Sequence, residues 1–152
     1  MPDNEKVHWK NEYTIGIRSI DNQHKKLFEL VNRLFELDEN PNIKEEIRDI
    51  LYAFRDYTIV HFSDEEEYMR SIGYPELEAH IETHKHIVES LHKIIQVPAP
   101  LNIIKVKMKV VAKRVLIDHI VNEDHKIGVF VRENEAIYAL HNDTLVSESP
   151  FS

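Results

Sequence analysis

Proline and glycine occur at only a few places in this sequence, and their positions divide the chain into segments. Internal breaks fall at Asn40-Pro41-Asn42, Gly73-Tyr74-Pro75 and Val97-Pro98-Ala99-Pro100. The chain has only 3 Gly in 152 residues, and glycine normally marks strand turns and phosphate-binding loops. Proline ends or interrupts helices. The three breaks therefore leave four segments that are each long enough to form a helix.

Each segment repeats apolar residues at the i, i+3, i+4, i+7 spacing of one helix face. The apolar repeats run from Ile20 to Phe35, from Ile43 to Ile72, from Leu77 to Ile95 and from Ile104 to Phe130. Short connections between helices make consecutive helices antiparallel. The pattern predicts an all-α protein, an antiparallel up-down-up-down four-helix bundle.

A single domain is predicted for residues 1–152, since the chain has the usual length of one domain. Its helical core is predicted at about 19–133. Residues 1–18, which contain Trp9, are expected to form an N-terminal arm that covers one end of the bundle. Residues 134–152 form a C-terminal extension, in which Ala136 to Leu140 are predicted to lengthen the last helix and Ser147 to Ser152 to fray.

Composition excludes several functional classes. The absence of cysteine rules out disulfides, thiolate nucleophiles, zinc fingers and iron–sulfur clusters. The net charge of −8 opposes nonspecific attraction to nucleic acid or to an anionic membrane. No apolar run reaches the ~18 residues of a membrane span, and the first residues lack the pattern of a signal peptide. We predict a cytoplasmic monomer with neither a nucleic-acid nor a membrane partner, and the sequence identifies no protein partner.

Polar residues stand in line with the apolar residues of every segment. A lone histidine on such a face is usually a hydrogen-bonded core residue, but here the positions recur on all four segments: His24, His61, Glu65, His80, His84 and His119. His61 and Glu65, like His80 and His84, are four residues apart and project from one helix face. Facing helices of a bundle can bring such groups to one metal. The spacing predicts a metal site with nitrogen and oxygen ligands.

Asp124 does not fit this pattern on a regular helix. It follows His119 by five residues, which turns it about 140° away from His119 at 100° per residue. A π-bulge would absorb one residue and return Asp124 to the inner face. We therefore expect a π-bulge in the fourth helix if Asp124 takes part in the site.

The ordered motifs resemble those of the hemerythrin family, in particular the bacterial hemerythrins. The resemblance extends from about Val7 to Glu133 and is carried by Ile20-Asp21-Asn22-Gln23-His24-Lys25, His61-Phe62-Ser63-Asp64-Glu65-Glu66, His80-Ile81-Glu82-Thr83-His84 and His119-Ile120-Val121-Asn122-Glu123-Asp124. Each motif alone is weak, but the ordered set on four predicted helices is specific.

The resemblance implies a nonheme di-iron centre that binds dioxygen reversibly, with two iron ions (Fe2+/Fe3+) and an oxo or hydroxo bridge. By likeness, one iron is held by His80, His84 and His119, the other by His24 and His61, and both by the bridging Glu65 and Asp124. Leu116 matches the apolar residue that screens the open position of the second iron. Val115 stands where many relatives carry tryptophan.

Three functions are compatible with such a bundle. The first is oxygen storage, transport or sensing by a protein that is not an enzyme. The second is a di-iron oxidase, peroxidase or iron-handling protein, but ferritin-like oxidases use two Glu-x-x-His elements on their helices, and the predicted helices of this chain carry one, from Glu89 to His92. The third is a structural zinc or mixed-metal bundle, since zinc competes well at nitrogen and oxygen sites.

The remaining histidines and charged runs are expected to be ordinary surface features. Five histidines match no motif position and are predicted to be exposed or partly buried: His8, His86, His92, His125 and His141. In the acidic run from Asp64 to Glu67, only Glu65 is in line with the core. The basic stretch from Lys105 to Arg114 is interpreted as a solvated helix surface, with a docking patch as the alternative.

Overall fold

A computed structural model describes residues 6–134 of the chain. After a short 3-10 turn at Asn11–Tyr13 it contains α1 (Arg18–Phe35), α2 (Ile43–Ser71) and α3 (Leu77–Gln96). The fourth helix is continuous and has three parts: α4 (Leu101–Ala112), a π-helical segment (Lys113–Asp124) and α5 (His125–Glu133). Residues 6–134 contain no strand, so the all-α prediction is confirmed.

The helices pack as the predicted antiparallel up-down-up-down four-helix bundle. α1 contacts α2, α2 contacts α3 and α3 contacts α4, while α1 also contacts α4 and the π segment. That last contact closes the ring of four helices. Prolines stand where the helices begin: Pro41 and Pro75 directly precede the N-cap residues of α2 and α3, and Pro100 is itself the N-cap of α4.

Two apolar clusters make up the core, and they occupy different levels of the bundle. The larger contains residues of all four helices, among them Phe62 on α2 and Ile120 on the fourth helix. The smaller contains Tyr68 on α2 and Ile127 on the fourth helix. Buried Glu65 lies between Phe62 and Tyr68, and buried Asp124 lies between Ile120 and Ile127, so a polar layer separates the two clusters.

Residues 15–17 of the N-terminal arm cover the end of the bundle next to this polar layer, as predicted. Val7, by contrast, lies alongside α1, where its backbone makes two hydrogen bonds of 2.8 Å to the Asn32 side chain. Ile15 and Ile17 are buried in the smaller cluster. The Asp21 carboxylate accepts hydrogen bonds from the Ile15 and Gly16 amides at 2.9 and 3.1 Å, and Arg132 donates to the Ile15 carbonyl at 3.2 Å. The arm is thus fastened to α1 and to α5 at once.

Gly128 in α5 lies directly against the backbone of the arm. A Cβ at this position would overlap the Ile15 carbonyl oxygen, and that carbonyl is already held by Arg132. Gly→Ala in a helix interior ordinarily gains about 1 kcal/mol, whereas forcing atoms into a packed contact costs about 1–3 kcal/mol. The overlap should outweigh that gain, so we expect Gly128→Ala to lower the free energy of unfolding by up to about 2 kcal/mol in denaturant titrations.

The matched control for this substitution is Asn122→Ala, at an exposed position of the same continuous helix. Surface substitutions usually change stability by no more than about 0.5 kcal/mol. A Gly128→Ala variant that is more stable than the wild type would contradict the close approach of arm and helix.

Two sequence predictions concern regions or properties beyond the bundle. The extension of the last helix over Ala136 to Leu140, and the fraying of Ser147 to Ser152, lie outside the described residues. Within residues 6–134, no helix combines the length and the apolar character that crossing a membrane requires.

Candidate metal centre

The polar layer consists of five imidazoles and two carboxylates with exposed fractions of 0 to 4%. α1 contributes one residue and each of the other helices contributes two. The structure brings together all seven residues that the sequence singled out: His24, His61, Glu65, His80, His84, His119 and Asp124. We call this set the polar cluster.

The pairs that are four residues apart meet because such positions share a helix face. On α2, His61 Nε2 lies 3.5 Å from Glu65 Oε2. On α3, the ring centroids of His80 and His84 are 4.6 Å apart. Regular α-helix is therefore enough to position these four side chains.

The fourth helix positions its pair differently. His119 and Asp124 lie in the π segment, whose i→i+5 hydrogen bonds place residues five apart above one another. His119 Nε2 is 3.2 Å from Asp124 Oδ1. The π geometry expected for Asp124 is confirmed, and it extends over Lys113–Asp124 rather than over a single turn.

The donor atoms of the polar cluster form two overlapping groups. One contains Glu65, His80, His84, His119 and Asp124, and the other His24, His61, Glu65 and Asp124. Within each group, one donor atom from every residue lies within 4.8 Å of all the others. Glu65 and Asp124 belong to both groups, so each carboxylate lies between two sets of imidazoles.

Short contacts join the carboxylates to imidazoles from different helices. His80 Nε2 lies 3.0 Å from Glu65 Oε1 and 2.9 Å from Asp124 Oδ1. His84 Nε2 lies 3.1 Å from Glu65 Oε1, and His24 Nε2 lies 3.0 Å from Asp124 Oδ2. The two carboxylates thus connect α1, α2, α3 and the π segment at one level of the bundle.

The pKa values reflect the competition between burial and these contacts. Burial by itself would lower the pKa of His24 and His80, but the neighbouring Asp124 and Glu65 carboxylates raise it to about 9 and about 10. For His61, burial prevails and lowers the pKa to about 3. Burial would raise the pKa of Glu65 and Asp124, yet the surrounding imidazoles hold it well below its usual range. The site therefore contains two buried carboxylate anions.

Several buried atoms of the polar cluster make no hydrogen bond to the described part of the chain. They are both ring nitrogens of His24, His61 Nε2, His119 Nδ1, Glu65 Oε2 and Asp124 Oδ2. His24 Nε2 and Asp124 Oδ2 lie 3.0 Å apart, but without the geometry of a hydrogen bond. Leaving a buried polar atom without a partner costs about 1–3 kcal/mol. Imidazole nitrogens and carboxylate oxygens are ligands for iron, zinc and related transition metals. The donor set and its unpaired atoms therefore fit bound metal ions.

Two imidazoles are oriented by polar side chains that the sequence analysis did not single out. His61 Nδ1 donates to Gln23 Oε1 at 2.5 Å, and Gln23 Nε2 donates in turn to Asp64 Oδ2 at 2.9 Å. His84 Nδ1 donates to Glu66 Oε2 at 2.7 Å. With its proton on Nδ1, each ring turns the lone pair of Nε2 toward the centre.

The acidic run on α2 therefore has more than one structural role. Glu65 is the one buried residue of the run, as predicted, but Glu66 orients His84 directly and Asp64 orients His61 through Gln23. Helical periodicity does not identify these residues, because each acts on an imidazole of another helix or through another residue. Their one sequence signal is that Gln23 and Glu66 adjoin His24 and Glu65 within the family motifs.

Apolar side chains cover the polar cluster on the side of the larger core cluster. The Phe62 ring stacks on the His84 imidazole with 3.7 Å between centroids and an interplanar angle of 3°. Leu116 is fully buried in the π segment, three residues before His119, and belongs to the same apolar cluster as Phe62. Val115 beside it is buried as well.

The other histidines lie apart from the polar cluster, as predicted. His8, His86 and His125 are exposed and His92 is half-buried. His141 lies outside the described residues.

Comparison with known proteins assigns the sequence that forms this site to a protein family. Residues 15–131 match the family described as the Hemerythrin HHE cation binding domain. The chain belongs to the hemerythrin family. The matched range begins at the arm residue Ile15 and ends at Val131 in α5, so it includes all four helices and the whole polar cluster.

Individual relatives in the hemerythrin family cover much of the chain. It is 40% identical to a Bacteriohemerythrin of Clostridium acetobutylicum over 86 residues, which are 55% of this chain and 67% of that protein. It is 32% identical to a Bacteriohemerythrin of Campylobacter jejuni over 126 residues, 81% of this chain and 95% of that protein. A Myohemerythrin of Theromyzon tessulatum is 31% identical over 122 residues, 80% of this chain and 91% of that protein.

Proposed function

We propose that this protein binds dioxygen reversibly at a nonheme di-iron centre, for oxygen storage, transport or sensing. The observation that carries the proposal is the pair of overlapping donor groups that share Glu65 and Asp124. Two groups of donors that share both carboxylates suit two neighbouring metal ions better than one. Membership of a family whose matched domain is a cation-binding one supports the same conclusion.

In this proposal the chain holds one iron through His80, His84 and His119 and the other through His24 and His61, with Glu65 and Asp124 bridging. The first group contains five residues and the second four, so the second leaves room for a small ligand, as open metal sites do. When bound, two ferrous ions and their oxo or hydroxo bridge would supply the electrons and the open position that dioxygen uptake needs.

The surrounding residues serve this function by orientation and by excluding water. Gln23 and Glu66 fix the rings of His61 and His84. Phe62 packs against His84, and we propose that Leu116 closes the apolar side of the site. An apolar surround limits the access of solvent to a metal site and lowers its dielectric constant. The chain thereby favours release of unchanged dioxygen over irreversible oxidation of the centre.

Elemental analysis tests the cofactor directly. We expect protein expressed in iron-replete medium to contain about two irons per chain, because its donors form two groups that share bridging carboxylates. The protein is first reduced under anaerobic conditions. Its optical spectrum should change when oxygen is then added, and the original spectrum should return when oxygen is removed. An iron ratio near one, or zinc in place of iron after reconstitution, would contradict the di-iron proposal.

The main alternative is a di-iron oxidase or peroxidase on the same bundle. The polar cluster holds five imidazoles and two carboxylates, whereas ferritin-like enzymes add further glutamates. We therefore infer binding rather than catalysis. An oxygen electrode distinguishes the two functions by comparing two rates. If the protein with excess reductant consumes oxygen faster than the oxygen-loaded protein releases it, the protein is an oxidase and not an oxygen carrier.

A separate prediction concerns Gln23 and Glu66, which orient the imidazoles of His61 and His84. We expect Glu66→Ala and Gln23→Ala each to lower iron affinity by about 10–100-fold, since outer partners of metal-bound histidines have effects of this size. Competition with a calibrated chelator measures the change. The control is Glu67→Ala, one residue along α2, where the exposed carboxylate contacts Arg70 at 3.2 Å. Equal affinities in Glu66→Ala and Glu67→Ala would show that Glu66 does not orient His84.

A further inference from the structure

A cavity of about 760 Å³ lies at the end of the bundle where α2 begins and α3 ends. Its wall is made by apolar side chains from α2, α3 and α4: Ile43, Ile47, Leu51, Ile94, Ile95 and Ile104. The volume falls within the range of small-molecule sites, about 300–1,000 Å³. No residue of the polar cluster lines this end cavity.

Charged residues stand at the edge of the end cavity. Lys44 and Arg48 line it, four residues apart on α2, and both are exposed, so the cavity reaches solvent. Neither side chain makes an ion pair or hydrogen bond within residues 6–134. Glu39 is the one acidic residue among those that line the cavity. α4 begins beside it at Leu101 without an acidic residue in its first turn. The edge is therefore positive, with two cations against one carboxylate.

We propose that the end cavity binds a free fatty acid, with the hydrocarbon chain inside and the carboxylate between Lys44 and Arg48. An apolar wall cannot satisfy the backbone groups of an extended peptide, whereas a hydrocarbon chain needs no polar partner. A neutral apolar ligand would gain nothing from the two cations at the edge. A symmetric contact with a second copy would place the same cations opposite each other. A single carboxylate on an apolar chain meets both features of the site.

Dodecanoate is the probe for this site, titrated into the full-length, iron-loaded protein in a calorimeter. We expect saturable binding of one dodecanoate per chain and about tenfold weaker binding of dodecanol, which lacks the charge. Lys44→Glu with Arg48→Glu should weaken dodecanoate binding by about tenfold or more. The control is Lys109→Glu with Lys113→Glu, an exposed pair at the same spacing on the fourth helix that does not line the end cavity.

Two variants that fill the end cavity with a larger side chain test whether the hydrocarbon chain binds inside it. Ile95→Trp and Ile43→Trp introduce a large side chain at half-buried positions of the cavity wall. Each is expected to abolish dodecanoate binding while the melting temperature and iron content stay near wild type. Iron content is read in the same samples, so failure of the fatty-acid site and failure of the di-iron proposal are separate results.

Several outcomes would overturn the proposal. They are absence of saturable binding by the wild type, equal affinity for dodecanol and dodecanoate, unchanged affinity in the double charge reversal, and dodecanoate binding that persists in both tryptophan variants. Binding only to phosphatidylglycerol vesicles would identify a membrane lipid instead. A dimer that binds no dodecanoate and dissociates in Ile95→Trp would identify a second copy as the occupant.

Discussion

Removal of iron is expected to lower the melting temperature of this protein by about 10–20 °C. The polar cluster places seven polar side chains in the core, and several of their atoms have no hydrogen-bond partner within residues 6–134. Each such atom costs about 1–3 kcal/mol when it is buried without a ligand. Contacts such as His80 to Glu65 offset part of this cost. A net loss of about 5 kcal/mol shifts the midpoint by about 2–4 °C per kcal/mol in a chain of this size.

Scanning calorimetry of the iron-loaded and the chelator-treated protein measures this difference. The apoprotein should also be cut more rapidly by protease, because metal binding stabilises only the folded form. Restoring ferrous iron under anaerobic conditions should return the original curve. Identical melting curves for the two forms would mean that the polar cluster does not bind iron in the core.

Leu116→Ala is expected to have two effects of different origin. Truncating a fully buried leucine removes apolar contacts and leaves a cavity, which should lower the free energy of unfolding by about 2–5 kcal/mol. The cavity would form at Leu116, three residues before His119, and a cavity with polar neighbours can admit water. We therefore expect the ferrous protein to oxidise irreversibly in air faster than the wild type, while iron content is unchanged.

The matched control is Leu34→Ala, since Leu34 is equally buried in the same apolar cluster but lies on α1, ten residues after His24. It should lose stability to a similar degree and oxidise at the wild-type rate. Absorbance followed after air exposure gives the oxidation rate, and elemental analysis gives the iron content. If both variants oxidise alike, Leu116 is ordinary core packing and does not shield the site.

Much of the architecture follows from local features of the sequence. Pro41, Pro75 and Pro100 stand immediately before or at the N-cap residues, so the helix boundaries could be predicted from residues that cannot continue a helix. Pairs such as His61 and Glu65 could be predicted to meet because they depend only on regular α-helical geometry. These features need no knowledge of how the helices are arranged in space.

Other features depend on the assembled bundle, and the sequence does not reveal them. Glu66 reaches the His84 ring from α2, and Gln23 reaches His61 from α1, so both roles require the packing distance between helices. The Gly128 approach to Ile15 requires the arm to return across α5. The periodicity of a single helix contains no information about such contacts between distant parts of the chain.

The π segment also determines which side chains of α5 face the core, because it sets their rotation about the helix axis. Residues of α4 face the core in one phase, and Ile127 and Val131 of α5 face it in another, offset by the residue that the π turns absorb. Deleting one residue between His119 and Ile127 would rotate α5 by about 100°. Gly128 would then turn away from Ile15, and the arm would lose its packing contact with α5. The number of residues in this stretch therefore determines both whether Asp124 faces the polar cluster and whether the arm can pack over the end of the bundle.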